Sequence, residues 1–356
     1  MDDKREFLVF LSQFDLTCSK CQQIIDSMSE LSVKNFCKTK FDDKVLSNEQ
    51  KDKMLERIDS QLLKNYERNL ENDGITLLTK LDKNYPEKLK YFPDAPFFLF
   101  CKGDLSLLEQ QSLAVVGTRK PTNYGRVVTE KLVGDIAKLG IVIISGLAYG
   151  IDSISHKQCL QVGGKTIAVL GSGLNEIYPA EHVNLAKEIV NSGGLIISEY
   201  TPNKKATQYT FPARNRIIAG LSDGVLITEA GMKSGTLHTR DFALDYGKNL
   251  YAVPGGILDN QSMLPNDMIK SGQASAVTCA KDILDDYKLV QSSMNLDVKL
   301  TEEEKKIVDI LSSGKKEIDQ IVKESGININ FLNIHLTTLE INGIIKRLPG
   351  NEIILN

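Results

Sequence analysis

Leu113-Ala-Val-Val-Gly117-Thr-Arg119-Lys-Pro-Thr-Asn-Tyr-Gly125 is the stretch on which the fold turns. A short apolar, partly β-branched run stops at Gly117, and a polar, cationic loop follows. A buried parallel strand delivers its chain to the carboxyl edge of an α/β sheet in this way. There the backbone amides, the Thr118 hydroxyl and the Arg119 guanidinium would converge on an anion. No Gly-x-x-x-x-Gly-Lys-[Ser/Thr] occurs in the chain, which disfavours a P-loop ATPase. Gly117 leads to Thr-Arg-Lys-Pro, so charge stands where a dinucleotide fold needs close backbone approach.

Outward from this strand, apolar runs recur at 113–116, 141–144, 166–170, 195–197, 224–227 and 250–253, with helix-like segments such as 124–139, 151–162 and 236–246 between them. Strand and helix alternating at this spacing predict right-handed crossovers and a Rossmann-like, doubly wound, mainly parallel sheet. Its strand-end loops, rich in glycine and polar residues, share one edge, where ligands of open α/β sheets bind. Residues 1–72 carry apolar residues at helical spacing (Phe7, Leu8, Phe10, Leu11; Ile24, Ile25, Met28) and predict a small helical domain. Residues 73–112 read as a tethered connector within a core of 73–288. Beyond the polar stretch 291–299, residues 289–356 predict three helices and two short strands around Pro349-Gly350, a winged-helix pattern. The third of these helices, 330–341, has no Lys or Arg. That points to protein contacts or weak DNA contact, and away from operator recognition.

The formal net charge is −3 and the pI about 5.9, which argues against a general nucleic-acid coat. The positive share is central: residues 113–280 hold 16 Lys and Arg against 13 Asp and Glu. No apolar run is long enough to cross a bilayer. Six scattered cysteines, with Cys18 and Cys21 lacking a second pair, read as free thiols of a cytoplasmic protein, without metal.

A second cationic stretch, Phe211-Pro-Ala-Arg214-Asn215-Arg216-Ile-Ile-Ala-Gly-Leu-Ser222, opens a helix behind Tyr209. Cations at a helix start beside aromatic rings suit a single strand, whose backbone they track while a ring stacks a base. The alternative is structural: Arg214 pairs with an acid such as Glu199 or Glu229, and Phe211 is core. Asp152, Glu199 and Glu229, with His156 near, sketch a hydrolase; helix capping and pairing with Arg119, Arg214 and Arg216 is the favoured reading of them.

Taken in order, Val-Gly-Thr-Arg119, Tyr124-Gly, Ser145-Gly-Leu-Ala-Tyr-Gly-Ile-Asp152, His156, Thr166-Ile-Ala-Val-Leu-Gly-Ser-Gly173, Tyr178-Pro, Ser198-Glu, Phe211-Pro-x-Arg-Asn-Arg, Glu229-Ala, Ser234-Gly and Val253-Pro-Gly resemble the DNA-processing protein A (DprA, or Smf) family. The flanks resemble its sterile-alpha-like and winged-helix domains. The resemblance implies a cofactor-free, non-enzymatic binder of single-stranded DNA. Such a protein forms a homodimer and loads a RecA-type recombinase, as in natural transformation. It carries DNA contact onto Gly117, Thr118, Arg119, Ser145, Gly146, Phe211, Arg214, Asn215 and Arg216. Members carry a lysine before Phe-Pro; Gln208 stands adjacent here, and that role passes to Lys204 and Lys205. Thr236-Leu-His238-Thr-Arg240 departs from the family's Ser-Leu-x-Thr-Ala, and Leu264-Pro-Asn from its Gly-x-Asn. Two other classes fit the same pocket: a nucleotide-hydrolysing enzyme of the lysine-decarboxylase-like superfamily, and a nucleotide-sensing module. The enzyme's Pro-Gly-Gly-x-Gly-Thr-x-x-Glu is broken here, because Pro254-Gly255-Gly256 runs into Ile-Leu-Asp259.

Overall fold

The computed structural model describes residues 2–14, 16–58, 60–287, 300–312, 314–341, 344–348 and 352–355. The expected spacer 291–299 and the Pro349-Gly350 turn lie outside them. The chain divides into two compact units, Met1–Lys288 and Leu289–Asn356.

The first unit opens with helices α1 (Asp3–Leu11), α2 (Cys18–Asp26), α3 (Val33–Lys38), α4 (Asn48–Leu55) and α5 (Ser60–Asn72). Asp2, Thr17, Ser32 and Ser47 cap the first four by accepting from backbone amides that the helix leaves without partners. Phe7, Phe10 and Phe36 interlock with ring centroids 5.4 to 6.4 Å apart. Their core continues into Phe97, Phe98, Phe100, Leu174 and Ile189, so the helices share buried surface with the sheet that follows.

That sheet has strands β1 (Thr76–Thr79), β2 (Phe98–Gly103), β3 (Ser112–Val116), β4 (Val142–Ser145), β5 (Thr166–Val169), β6 (Leu195–Ser198), β7 (Gly224–Ile227), β8 (Asn249–Ala252) and β9 (Ser275–Ala276). Their order is β1-β2-β6-β5-β4-β3-β7-β8-β9. From β6 to β9 every neighbouring pair is parallel, whereas β1 and β2 join antiparallel at one edge. The expected connector thus contributes two strands. Its alternation is the reason: Phe98 and Phe100 face one core, Leu99 and Cys101 the other.

Helices α6 (Glu87–Lys90), α7 (Asn123–Ala137), α8 (Ile151–Gln161), α9 (Val183–Asn191), α10 (Thr210–Leu221), α11 (Thr236–Asp245), α12 (Met263–Lys270) and α13 (Lys281–Leu284) lie between or after these strands. Strand β3 is buried along its length, with Ala114 and Val116 in one core and Leu113 and Val115 in the opposite one. From β3 the chain moves outward through β4, β5 and β6, then returns to lay β7 on the other side of β3. The helices that follow β3 and β7, α7 and α11, pack on opposite faces of the sheet, which opens a crevice at the topological switch point.

The second unit holds α14 (Glu302–Leu311), β10 (Lys316–Glu317), α15 (Ile318–Ser325), α16 (Ile329–Ile341), β11 (Ile345–Leu348) and β12 (Glu352–Leu355), in a sheet ordered β10-β12-β11. This is a winged-helix arrangement, with β10 added to the expected hairpin. Thr301 and Glu304 form a capping box at the start of α14, and Ile307, Leu311, Ile321, Leu332, Leu336 and Ile353 fill the core.

Candidate nucleic-acid interface

A cleft of about 890 Å³ opens at the switch point. One wall is the loop after β3. Thr118 donates its backbone N–H to Glu229 O at 2.7 Å, and its own carbonyl accepts from Ile151 N at 3.2 Å. Tied to the end of β7 and to the start of α8, the loop holds Arg119 and Lys120 exposed on the cleft. Buried Glu229 secures the loop from below, accepting from Thr122 N at 2.9 Å and from the Thr122 hydroxyl at 2.5 Å. Gly125 makes room for that carboxylate, since a Cβ there would lie 2.2 Å from Glu229 Oε2.

The facing wall is the start of α10. The Arg119 guanidinium sits over the Phe211 ring at 5.7 Å, and the half-exposed Tyr178 ring packs against Phe211 at 5.2 Å. A cation on an aromatic face is worth roughly 0.5–1 kcal/mol at an exposed site, and it keeps the guanidinium beside a stacking platform. Lys233 and His238, from the loop after β7 and the first turn of α11, reach the rim, as do Thr207 and Gln208. Asp152 is the one carboxylate among the described lining residues.

Arg214 lies beneath this surface, 4% exposed. Its Nη1 donates to Gly146 O at 2.6 Å and to Val169 O, and its Nε donates to Asn215 Oδ1 at 3.2 Å. Burial pulls its pKa down to about 10; nearby Asp152 opposes this, and Arg119 adds to it. Burial also raises the Asp152 carboxyl, against the pull of Arg214 and of the Gly146 and Ala148 amides that donate to it. Two guanidinium groups therefore repel each other across the cleft floor, and an anion between them relieves that repulsion.

Several expected contacts are placed elsewhere. Ser145 is fully buried, and its hydroxyl donates to Val115 O at 2.7 Å, clasping β4 to β3. Gly146 donates to Asp152 and accepts from Arg214, so neither backbone group faces the cleft; a Cβ there would meet the guanidinium at 2.5 Å. Arg216 pairs with Glu199 and turns into a separate hollow beside Cys18, Pro93 and Phe97. Lys204 and Lys205 precede the lining residue Ala206 without lining the cleft, and the Lys204 carbonyl accepts from Gly173 N at 2.8 Å. Asn215 does line the cleft, donating to Gly235 O at 3.3 Å. Arg240 closes on its neighbour Asp241. Leu264 is core, and Asn266 braces Gly255 through both of that residue's backbone groups. Tyr178, Lys233 and His238 escaped the sequence reading of the site: the strand order brings Lys233 and His238 beside β3, and Tyr178 reaches the cleft by packing on Phe211.

The carboxylates nearest the cleft are already engaged. Asp152 holds amides of the loop after β4, and Glu229 holds the Thr122 cap. What faces solvent is a curved wall of cations, hydroxyls and two rings, suited to binding an extended anionic chain with bases.

A Rossmann-like core with a cationic, ring-bearing cleft at its switch point defines a nucleic-acid-binding α/β protein. The family model described as DNA recombination-mediator protein A matches residues 76–288, and that of the DprA winged helix domain matches residues 294–351. The chain belongs to the DNA recombination-mediator protein A family. It is 41% identical to DNA processing protein DprA of Bacillus subtilis over 60% of this chain and 71% of that protein. It is 36% identical to Protein Smf of Escherichia coli over 80% of this chain and 78% of that protein. Among solved structures, DNA processing protein A of Streptococcus pneumoniae superposes with a TM-score of 0.68 at 33% identity, covering 81% of this chain and 99% of that one. The Helicobacter pylori protein, solved for its unique single-stranded DNA binding mode, superposes with a TM-score of 0.54 at 32% identity, covering 59% and 94%.

Proposed function

We propose that this chain binds single-stranded DNA in the switch-point cleft, without catalysis, and delivers it to a RecA-type recombinase, as in natural transformation. The observation that carries this reading is Arg119 poised over Phe211 beside Tyr178, a cation and a stacking surface within one contact. In this reading Gly117, Thr118, Arg119, Lys120 and Lys233 meet phosphates, Phe211 or Tyr178 stacks a base, and Asn215 reaches a base edge or sugar. Arg214 contributes its field from the floor, while Ser145, Gly146 and Arg216 hold the frame. Lys204 and Lys205 flank the strand at the mouth of the cleft. These tasks are divided among a helical domain (1–72), the DNA-binding core (73–288) and the winged helix (289–356).

Family membership supports a homodimer, for which Ile257 and Leu258, 91% and 95% exposed after β8, are the apolar surface at hand. Six free thiols suit the cytoplasm, and no helix among the described residues is long and apolar enough to cross a membrane.

Competition between single- and double-stranded oligonucleotides of one sequence, with nucleotide hydrolysis followed in the same samples, tests the reading. The expected result is preference for the single strand with no turnover. Equal affinity for both forms overturns it, and turnover lost in Glu229→Gln supports the enzyme instead.

A further inference from the structure

A second groove, of about 760 Å³, opens on the other flank of the Arg119 loop. Arg119, Lys120, Arg126 and Lys157 supply its cations, and Glu130 is the one carboxylate among the described residues that line it. None of these four cations is ion-paired among the described residues. Arg119 and Lys120 also line the first cleft, so the two hollows share a lip. On α8 the lining residues are Ser153, Ile154, Lys157, Gln158 and Gln161, which recur at intervals of three and four. Residues so spaced form one stripe along a helix. Tyr149 stands over the groove, 40% exposed, its hydroxyl donating to Glu181 Oε2 at 2.6 Å and its ring edge-on to His182.

We infer that this groove continues the single-strand path: a strand leaving Phe211 crosses Arg119 and Lys120 and is held by Arg126 and Lys157, with Tyr149 as a further base platform. The inference rests on single-strand binding in the first cleft. A linear stripe of amides and cations suits a linear polyanion better than a small anion, which needs a closed set of donors. The core of a protein interface is apolar, whereas here Ile154 is nearly buried and its neighbours are polar.

The test uses full-length protein and fluorescent oligothymidylates of about 6 and about 25 nucleotides, bracketing the span of one such site. Arg126→Ala/Lys157→Ala is compared with Lys138→Ala/Lys187→Ala, a charge-matched pair of exposed lysines outside the groove. If each groove cation neutralises one phosphate, the slope of log K against log salt flattens by about 1.4 for the long strand. Its affinity falls about tenfold at roughly 0.1 M salt, and the short strand loses less. No loss, an equal loss at both lengths, or an equal loss in the control pair overturns the groove while leaving the first cleft standing. A wild-type protein that does not prefer single strands overturns both.

Discussion

Arg214 and Arg119 have the same side chain and opposite circumstances. Removing Arg214 leaves the Gly146 and Val169 carbonyls without their donor and Asp152 without its compensating charge. Leaving two buried carbonyls undonated and a buried carboxylate uncompensated costs about 2–5 kcal/mol. Denaturant unfolding of Arg214→Ala will show a loss of that order, and Arg119→Ala, at an exposed position, will lose no more than about 1 kcal/mol, the worth of its contact with Phe211. DNA binding by Arg214→Ala thus reports folding as much as contact. His156 offers a pH test. Its Nδ1 lies 2.7 Å from Thr166 Oγ1, whose own proton goes to Ile143 O, so the ring donates through Nδ1. Nε2 is buried without a partner, and burial lowers the pKa to about 3. With the folded pKa below the unfolded one, near 6.5, the unfolded state binds the extra proton between these values, so stability is lost as pH falls through that window. Melting temperatures from pH 7 to pH 4.5 will fall less steeply in His156→Asn, which has no ring to protonate. Both features were only partly legible beforehand. The sequence marks Arg214 and Arg216 as cations at a helix start and His156 as a neighbour of the strand-end acids, but burial by distant segments decides which of them meets solvent.

At the scale of elements, the runs of β3 to β8 were legible because a parallel strand covered on both faces is continuously apolar. Strands β1 and β2 were less so, since Pro93, Pro96 and the charged residues between them read as a connector. The strand order explains what the sequence reading of the site missed: Lys233 and His238 reach the cleft only because β7 lies against β3. The loop after β3 depends on a contact across that junction. A methyl group at Gly125 would overlap the Glu229 carboxylate that anchors Thr122. Overpacking of this kind costs about 1–3 kcal/mol. Gly125→Ala will therefore lower the melting temperature and weaken single-strand binding together, although it removes no DNA-facing side chain. Unchanged binding with lowered stability would separate the anchor from the site.

For the whole molecule, the proposed function gives DNA binding to the first unit and protein contacts or weak DNA contact to the second. The third helix of the winged unit, α16, exposes Phe331 and Ile334 at 64% and 61% and carries no Lys or Arg, while Arg347 on the wing is paired with Glu340 at 3.0 Å. Phe331→Asp/Ile334→Asp will leave oligothymidylate affinity within about twofold, because most of that affinity comes from phosphate contacts; a tenfold loss would bring the winged unit into the DNA path. Everything proposed for the cleft depends on the Arg119 loop gripping the backbone of a single strand. Equilibrium titration of a labelled oligothymidylate across a salt series, with wild type and Arg119→Ala side by side, measures that grip. The expected affinity of the variant is at least about tenfold weaker at roughly 0.1 M salt, with a salt slope shallower by about 0.7, the share of one phosphate contact. A folded Arg119→Ala protein with unchanged affinity and slope would contradict it.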